Sequence, residues 1–316
     1  MEPIEILRVS NLHTFLIDDL NKAYIVHDHN HINEPDALKR VVAIVGEGET
    51  KIDRKLLALM PNVKIISVFG AGYEGVDVHA AIERGIVVTH TPGVLNNDVA
   101  DLAMGLLISV SRQIPQADRF VRAGDWVDGP YDLTKKLSAA KLGMVGLGRI
   151  GQAIAKRASA FDMKISYTAR TPKAELPYLY YPSAKALAAE VDFLLAIVPG
   201  GPTTKAMINK EVFEALGPKG YFINVSSGSV VDQPALIKAL QDKVIAGAGL
   251  DVYNDEPRIS PEIRHLSNVV LTPHMASGTF ETRRAMADLV LANLSAYFEG
   301  TKLPTPVPEC QGLITK

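Results

Sequence analysis

The sequence predicts an α/β protein built from two Rossmann-like, doubly wound parallel-sheet domains. Apolar runs with strand character alternate with helical or turn segments along the chain, an order that produces parallel sheets. A glycine-rich turn between a strand and a helix stands almost halfway along, at Gly146 to Gly151, so a second α/β unit precedes it. With 316 residues, of which 47% are hydrophobic, the chain can form two cores.

The predicted elements follow the apolar runs in chain order. Strands are expected at Val41 to Val45, Val63 to Ser67, Ile86 to Thr89, Leu142 to Val145, Lys164 to Tyr167, Phe193 to Val198, Tyr221 to Val225, Ala246 to Val252 and Val269 to Leu271. Apolar residues at helical spacing predict helices at Asn96 to Ser111, Gln152 to Phe161 and Glu281 to Phe298, the last ending before Gly300. The proline-rich tail from Leu303 to Pro308 cannot be helical and is expected to run extended across the first domain.

The turn after the strand at Leu142 to Val145 has the pattern of a dinucleotide-binding site. Gly146 permits the tight turn, Gly148 lets a pyrophosphate approach the backbone, and Gly151 lets the helix pack on the strand. The residues predicted to hold the phosphates at the helix N-terminus are Gly146, Leu147, Gly148, Arg149, Ile150 and Gly151. The alternative, an ordinary tight turn, is disfavoured by the strand and the helix on either side.

The residues after the next strand indicate which dinucleotide binds. An NAD site presents Asp or Glu there, whereas this chain has no acid at Thr168 or Ala169. Arg170, with Thr168, Thr171 and Lys173 around it, can hold a 2′-phosphate through charge-assisted hydrogen bonds. NADP(H) is therefore the predicted cofactor, and the alternative is a solvated basic loop.

The carboxyl ends of the later strands carry the candidate catalytic residues, because ligands of doubly wound sheets bind at that edge. His274 is the predicted proton donor, since its charge can change near neutrality and reduction of a carbonyl by hydride needs a proton. Glu256 is its predicted partner, which would favour the protonated imidazole. The alternatives are that His274 is a structural histidine and that Glu256 is a solvated loop acid.

Composition excludes several classes of partner. The net charge is only −2, which gives no extended field for nucleic acid or an anionic membrane. No uninterrupted apolar run reaches the length of a membrane span, and the N-terminus lacks the pattern of a signal peptide. The single cysteine, Cys310, excludes an intrachain disulfide and favours a reducing compartment, so a cytoplasmic location is expected.

An ordered series of motifs over most of the chain resembles the D-isomer specific 2-hydroxyacid dehydrogenases, in particular their glyoxylate/hydroxypyruvate reductase and hydroxyphenylpyruvate reductase branch. The matching segments are Gly70 to Asp77, Thr91 to Val94, Val99 to Asp101, Arg122 to Trp126, the glycine turn, Pro199 with Thr204, Asn224 to Asp232, Gly249 to Tyr253, Glu256-Pro257 and Pro273-His274. The resemblance implies that an NADP-binding domain, residues 99–286, is inserted into a flavodoxin-like substrate domain formed by residues 1–98 and 287–316. It also implies a homodimer joined largely through the nucleotide domains.

The resemblance further assigns roles to matching residues. His274 would be the acid and Glu256 its partner, while Asp251 would contact the nicotinamide carboxamide. The expected neighbours of the cofactor are Val198, Pro199, Thr204, Val225, Ser226 and Ala276. Backbone N–H groups of Gly70, Ala71 and Gly72 would receive the substrate carboxylate, with Arg283 as a further contact. The alternatives are that the glycine segment is a plain strand-to-helix turn and that Arg283 is a helix-surface residue.

Ser227 departs from the family pattern, which has arginine at this position. The missing guanidinium would bind the substrate carboxylate and polarise the carbonyl, and loss of such a donor costs on the order of 10² to 10³ in rate. A smaller departure, Ala276 for glycine, crowds the backbone near the nicotinamide. Two functions therefore stay open: an NADPH-dependent reductase of small 2-oxo acids such as glyoxylate, hydroxypyruvate or an aryl pyruvate, and a catalytically weak protein that senses NADP(H) or a 2-oxo acid.

Overall fold

The computed structural model describes residues 3–32 and 35–313. The chain divides into two compact units: unit 1 comprises Met1–Leu95 and Thr279–Lys316, and unit 2 comprises Asn96–Gly278. The junctions predicted from the sequence, 98/99 and 286/287, lie further along the chain, and each falls inside a continuous helix, Asn96–Arg112 and Phe280–Phe298. The assignment of the units to substrate and cofactor stays a prediction.

The described residues form parallel strands connected by helices. The strands are β1 (Glu5–Arg8), β2 (Ile25–Asp28), β3 (Ala43–Glu47), β4 (Ile65–Phe69), β5 (Val87–Thr89), β6 (Lys141–Val145), β7 (Lys164–Thr168), β8 (Leu179–Tyr180), β9 (Phe193–Ala196), β10 (Tyr221–Asn224), β11 (Gly247–Leu250) and β12 (Val269–Leu271). The helices are α1 (Thr14–Ala23), α2 (Pro35–Arg40), α3 (Arg54–Ala58), α4 (Val78–Glu83), α5 (Asn96–Arg112), α6 (Ile114–Ala123), α7 (Arg149–Ser159), α8 (Ala184–Ala188), α9 (Lys210–Leu216), α10 (Gln233–Gln241), α11 (Pro261–Arg264) and α12 (Phe280–Phe298).

Unit 1 is a five-stranded parallel sheet in the order β2-β1-β3-β4-β5, which is the flavodoxin-like order. All five residues of β4 are buried, as expected for a central parallel strand covered on both faces. The C-terminal tail adds an antiparallel bridge between Pro306 and Thr89 at the β5 edge, and Val307 N–H donates to the Val88 carbonyl at 2.9 Å. The tail is non-helical and follows the first domain as expected from Leu303 to Val307, whereas a 3₁₀ helix, Pro308–Leu313, begins at Pro308, which the sequence prediction had excluded.

Unit 2 is a seven-stranded sheet in the order β12-β11-β10-β9-β6-β7-β8, again with every described pair parallel. The strand order reverses between β6 and β9, and this switch point is where doubly wound sheets bind their ligands. Helix α5 packs on α7 and on β10 and β11. The predicted fold class is thus confirmed in both units.

Side-chain caps explain why many helices begin where they do. At six of them the N-cap side chain accepts a hydrogen bond from a backbone N–H of the first turn, which satisfies one otherwise unpaired donor. These N-caps are Asp53, Asp77, Ser183, Asn209, Asp232 and Thr279. Among the described residues, no helix is both long and apolar enough to cross a membrane.

Candidate active site

The glycine turn after β6 has the geometry that a phosphate-binding backbone requires. Gly146 has a φ of +100°, and a Cβ there would lie 2.4 Å from the Ile197 carbonyl oxygen, so only glycine fits without strain. A Cβ on Gly151 would lie 2.9 Å from the Gly146 oxygen, whereas one on Gly148 would meet no atom within 4 Å. Gly148 is the N-cap of α7 and has no side-chain cap, so the first N–H groups of α7 depend on a ligand or solvent.

The flanking residues of this turn divide between the core and the surface. Leu147 is 1% exposed and anchors the turn, while Gly148 and Arg149 lie at the surface and Ile150 is half-buried. The turn is also fixed from β7, because Gly146 N–H donates to the Thr168 carbonyl at 2.9 Å. The observed geometry therefore leaves the approach to the α7 N-terminus open at Gly148.

The basic loop after β7 is exposed at Arg170 and Thr171. Its far end is held in place, because Lys173 N–H donates to the hydroxyl of the buried Tyr167 at 2.6 Å. Thr168 is buried at the end of β7. The loop thus presents a guanidinium and a hydroxyl without a carboxylate at the strand end, where a ribose 2′ substituent would be recognised.

Two polar side chains shape the loops at the ends of β9 and β10. Thr204 donates its hydroxyl to the Pro199 carbonyl at 2.6 Å and so closes the loop that begins at Val198. Asn224 is 1% exposed and accepts from Ser226, through the backbone N–H at 3.0 Å and the hydroxyl at 2.7 Å. Val225 is buried beside it. Asn224 has no role in the sequence prediction, although it opens one of the matching motifs.

The structure brings His274 and Glu256 together in unit 2. His274 Nδ1 lies 2.6 Å from Glu256 Oε2, and the other carboxylate oxygen accepts from the Tyr253 N–H at 2.7 Å. Both Glu256 oxygens are therefore held, and the carboxylate fixes the imidazole ring. The Glu256 side chain is 17% exposed while that of His274 is 46% exposed, so the carboxylate is sheltered and the imidazole is accessible.

The backbone at His274 is unusual. Its φ is +49°, in the left-handed region that residues other than glycine rarely adopt. This backbone conformation costs about 1–3 kcal/mol. The conformation is maintained by the His274 N–H, which donates to the Asp251 carbonyl at 2.9 Å. Such an outlier at the end of a strand is typical of functional sites, where the surrounding structure holds a side chain in one direction.

Asp251 is fully buried and organises the segment that carries His274. One carboxylate oxygen accepts from the Thr272 hydroxyl at 2.6 Å and from the Met275 N–H at 2.9 Å, and the other accepts from the Ala276 N–H at 2.9 Å. Its expected contact with a nicotinamide carboxamide stays a prediction. What the structure adds is a role in fixing the turn from Thr272 to Ala276.

Tyr253 is a further organising residue that the sequence prediction missed. Its buried hydroxyl donates toward the Leu250 and Thr272 carbonyls, at 3.0 and 2.9 Å, and so joins the ends of β11 and β12. Burial raises the pKa of this phenol, and the Asp251 carboxylate raises it further. The signal available in the sequence was that Tyr253 is the last residue of the matching motif Gly249 to Tyr253.

Ser227 is buried, with 8% of its surface exposed. Its hydroxyl lies 3.0 Å from that of Ser229, and its carbonyl accepts from the Asn224 side-chain amide at 3.1 Å. A buried hydroxyl paired in this way supplies neither the length nor the charge of a guanidinium.

The remaining predicted site residues lie in unit 1. Gly70, Ala71 and Gly72 follow β4, and Arg283 lies on α12 with its guanidinium carbon 5.4 Å from the centre of the Phe69 ring. Because Phe69 directly precedes Gly70, unit 1 places Arg283 beside the strand that leads into the glycine loop.

Comparison with known proteins identifies the family to which these features belong. Residues 104–276 match the NAD binding domain of the D-isomer specific 2-hydroxyacid dehydrogenases. The chain belongs to that family. The predicted family and dinucleotide-binding domain are thereby confirmed, and so is the predicted oxidoreductase class.

Dehydrogenases of this family that are similar over the full length include plant and bacterial reductases. Hydroxyphenylpyruvate reductase of Plectranthus scutellarioides is 43% identical over 312 residues, covering 97% of this chain and 100% of the relative. Glyoxylate/hydroxypyruvate reductase A of Arabidopsis thaliana is 42% identical with the same coverage. An NADPH-dependent glyoxylate/hydroxypyruvate reductase from Sinorhizobium meliloti, solved with NADP and malonate, is 41% identical, with a TM-score of 0.92 and 98% of each chain covered.

Proposed function

We propose that this dehydrogenase uses NADPH to reduce a small 2-oxo acid, such as glyoxylate, hydroxypyruvate or an aryl pyruvate, to the D-2-hydroxy acid. The observation that carries the proposal is the His274–Glu256 pair at 2.6 Å, an accessible imidazole fixed by a sheltered carboxylate. The names of the full-length relatives support the substrate class.

The residues around the glycine turn fit a dinucleotide. The open position at Gly148 and the uncapped start of α7 suit a pyrophosphate, and the exposed Arg170 and Thr171 suit a 2′-phosphate. When bound, NADPH supplies the hydride that reduces the carbonyl carbon. The Sinorhizobium meliloti relative binds NADP, which favours the same choice here.

The chain itself supplies the proton. A carboxylate only accepts hydrogen bonds, so Glu256 holds the proton on His274 Nδ1 and leaves Nε2 as the atom that faces the substrate. As an imidazolium, His274 donates from Nε2 to the carbonyl oxygen as negative charge develops there. Asp251 keeps the imidazole pointing in one direction, because its carbonyl accepts from the His274 N–H and its carboxylate accepts from the Met275 and Ala276 N–H groups.

Ser227 favours a reduced rate, since nothing in its buried, Ser229-paired hydroxyl replaces the family guanidinium. The second candidate function, a weak or inactive sensor of NADP(H) or a 2-oxo acid, rests on this residue. Retention of the His274–Glu256 pair favours the reductase, because active sites that lose one member commonly keep residual catalysis.

Steady-state oxidation of NADPH with glyoxylate, hydroxypyruvate and hydroxyphenylpyruvate tests the proposal. We expect turnover with at least one of them, and we expect His274→Ala to reduce kcat by about 10² or more. His265→Ala, an exposed histidine of the same unit, is the matched control and should leave kcat unchanged. NADPH binding without any turnover in the unmutated protein would favour the sensor.

The homodimer and the cytoplasmic location belong to the same proposal. Five of the eleven large apolar side chains that the described residues expose lie between positions 114 and 133 of unit 2: Ile114, Val121, Trp126, Val127 and Leu133. Such a concentration marks an interaction surface, and a second copy of this chain is the proposed occupant. The cytoplasmic location rests on the single cysteine alone.

A further inference from the structure

Two consecutive carbonyl groups of the glycine loop after β4 are held by the segment that follows β5. The Gly70 carbonyl accepts from the Thr91 N–H at 2.8 Å, and the Ala71 carbonyl accepts from His90 Nδ1 at 2.8 Å. Both carbonyls therefore point toward residues 90 and 91. This arrangement lies wholly within unit 1.

The same two peptide groups fix the direction of two N–H groups. Both peptide bonds are trans, since the one cis bond in the described chain lies at Glu256-Pro257, and in a trans peptide the N–H points opposite to the carbonyl. The Ala71 N–H and the Gly72 N–H consequently point away from residues 90 and 91, on one side of the loop. In the described structure neither N–H donates to another backbone carbonyl.

The contact from His90 defines its tautomer. A carbonyl oxygen only accepts hydrogen bonds, so His90 Nδ1 must carry a proton to make the 2.8 Å contact. The ring is also packed edge-on against the Tyr73 ring, with centroids 5.3 Å apart. Tyr73 in turn donates its hydroxyl to the Glu309 carboxylate at 3.0 Å, which links the glycine loop to the C-terminal tail.

The backbone of His90 is held from the tail and from α12. Its N–H donates to the Thr305 carbonyl at 3.1 Å, and its own carbonyl accepts from the Thr305 hydroxyl at 2.6 Å. Asn293, fully buried on α12, donates to the Thr305 hydroxyl oxygen at 2.8 Å and accepts from the Thr305 N–H at 3.1 Å. A continuous polar chain thus runs from α12 through the tail to His90 and the Ala71 carbonyl.

We propose that His90 is a positioning residue, which turns the peptide between Ala71 and Gly72 so that the loop N–H groups receive a substrate carboxylate. The inference rests on the proposed function and on the expectation, taken from the family resemblance, that this loop binds the carboxylate end of the 2-oxo acid. His90 touches the Ala71 carbonyl and acts on the substrate only through that peptide. Two fixed N–H donors on one side form a small anion site whose strength depends on their direction.

The role depends on a donor two bonds from Cβ, and this predicts which substitution preserves it. Asparagine carries its side-chain N–H₂ at that distance, as His90 carries Nδ1, so His90→Asn can keep the bond to Ala71. Leucine has similar bulk and no donor. The Ala71 carbonyl would then lose its side-chain partner, and the 71–72 peptide would be free to rotate.

The test measures KM for the reduced 2-oxo acid and, independently of turnover, the Kd of malonate by calorimetry in the presence of NADP⁺. We expect His90→Leu to raise both by about tenfold, or about 1.4 kcal/mol, with kcat and the Kd of NADPH little changed. His90→Asn should stay within about twofold of the unmutated protein. His79→Leu, an exposed histidine on α4, is the matched control and should change neither value.

Each outcome decides between the alternatives. Unchanged malonate and substrate affinity in His90→Leu would overturn the inference, and so would equal losses in His90→Asn and His90→Leu, which would indicate ring packing instead. Should His90→Leu fail to fold, His90→Gln replaces it, because its amide stands one bond too far out and should weaken malonate binding.

A protein that binds malonate in the expected order but reduces no 2-oxo acid would contradict the proposed function alone. Failure of the unmutated protein to bind malonate would overturn the carboxylate site itself.

Discussion

At the scale of single residues, two carboxylates that follow β11 divide the placement of His274 between them. Asp251 holds backbone N–H groups on the far side of the histidine, while Glu256 holds the imidazole ring itself. Burying a charged group is costly unless its hydrogen bonds are satisfied, and each of these carboxylates has both oxygens engaged. The positive φ of His274 is stable because both partners act on it together.

Sequence patterns point to the candidate catalytic residues more readily than to the residues that hold them in place. His274 and Glu256 stand out because protonatable side chains in the loops that follow apolar strands are conspicuous. Tyr253 and Asn224 act through hydrogen bonds to backbone groups brought together by folding, and no spacing in the sequence encodes those contacts. The role of Asp251 in the turn was missed for the same reason.

Arg170 should determine the choice of dinucleotide. In the unmutated protein we expect NADPH to bind at least about tenfold more tightly than NADH, or about 1.4 kcal/mol, because an exposed guanidinium can pair with the 2′-phosphate. Arg170→Ala should remove most of that preference, as measured by fluorescence titration of both cofactors. Arg264→Ala, an exposed arginine of the same unit, should preserve it. Equal dissociation constants for the two cofactors before mutation would disprove the assignment.

Ser227→Arg should increase activity. The substitution restores a charged donor for the substrate carboxylate, so kcat/KM for a 2-oxo acid should rise by about 10² or more while the affinity for NADPH stays unchanged. Ser227→Met tests length without charge and should bring no gain. If Ser227→Arg folds, binds NADPH and turns over no faster, the site lacks more than one group and the sensor becomes the stronger interpretation.

At the scale of elements, the glycines of the strand-turn-helix at β6 and α7 have different physical requirements. Gly146 is required by its positive φ and by the nearby Ile197 carbonyl, and Gly151 by close packing against Gly146. Gly148 has an ordinary negative φ and open space around its missing Cβ. Fold stability therefore explains the first and third glycines, and only a ligand explains the second.

A matched pair of alanine substitutions separates these requirements. Gly146→Ala should lower the free energy of unfolding by more than about 1 kcal/mol, because the new Cβ meets a backbone oxygen in a left-handed conformation. Gly148→Ala should leave the unfolding midpoint unchanged and raise the Kd of NADPH about tenfold, since its Cβ occupies the approach of the pyrophosphate. Thermal unfolding of the cofactor-free protein and NADPH titration measure the two effects. Normal NADPH affinity in Gly148→Ala would show that the phosphates bind elsewhere.

The long apolar strands were predictable because a strand covered on both faces is apolar throughout, as in β4 and β9. Strand β2, at the edge of its sheet, was not predicted, since half of its four residues are the polar His27 and Asp28. Strand β8 has only two residues, too few for any periodic pattern. Helix α6 escaped prediction because it buries none of its residues and so lacks an apolar face turned to the core.

At the scale of the whole molecule, the apolar surface of helix α6 and the segment after it favours assembly of two copies. Helix α6 and the segment after it, residues 114–133, expose Trp126, Val127 and Leu133 by 67%, 89% and 100%. Exposed side chains of this kind contribute nothing to the core of the monomer, whereas burying each against a second copy would contribute about 1.5–3 kcal/mol. A low net charge of −2 does little to oppose such an association.

If the proposed dimer forms through residues 114–133, charged substitutions there should dissociate it without unfolding the chain. Leu133→Asp and Val127→Asp place charges in the proposed interface, and we expect multi-angle light scattering to give the mass of a dimer for the unmutated protein and of a monomer for the double variant. Because both side chains are exposed in the single chain, the circular dichroism spectrum should not change. Leu179→Asp, at an exposed leucine on β8, is the matched control and should leave the dimer intact. A monomeric mass for the unmutated protein at micromolar concentration would mean that residues 114–133 serve another partner.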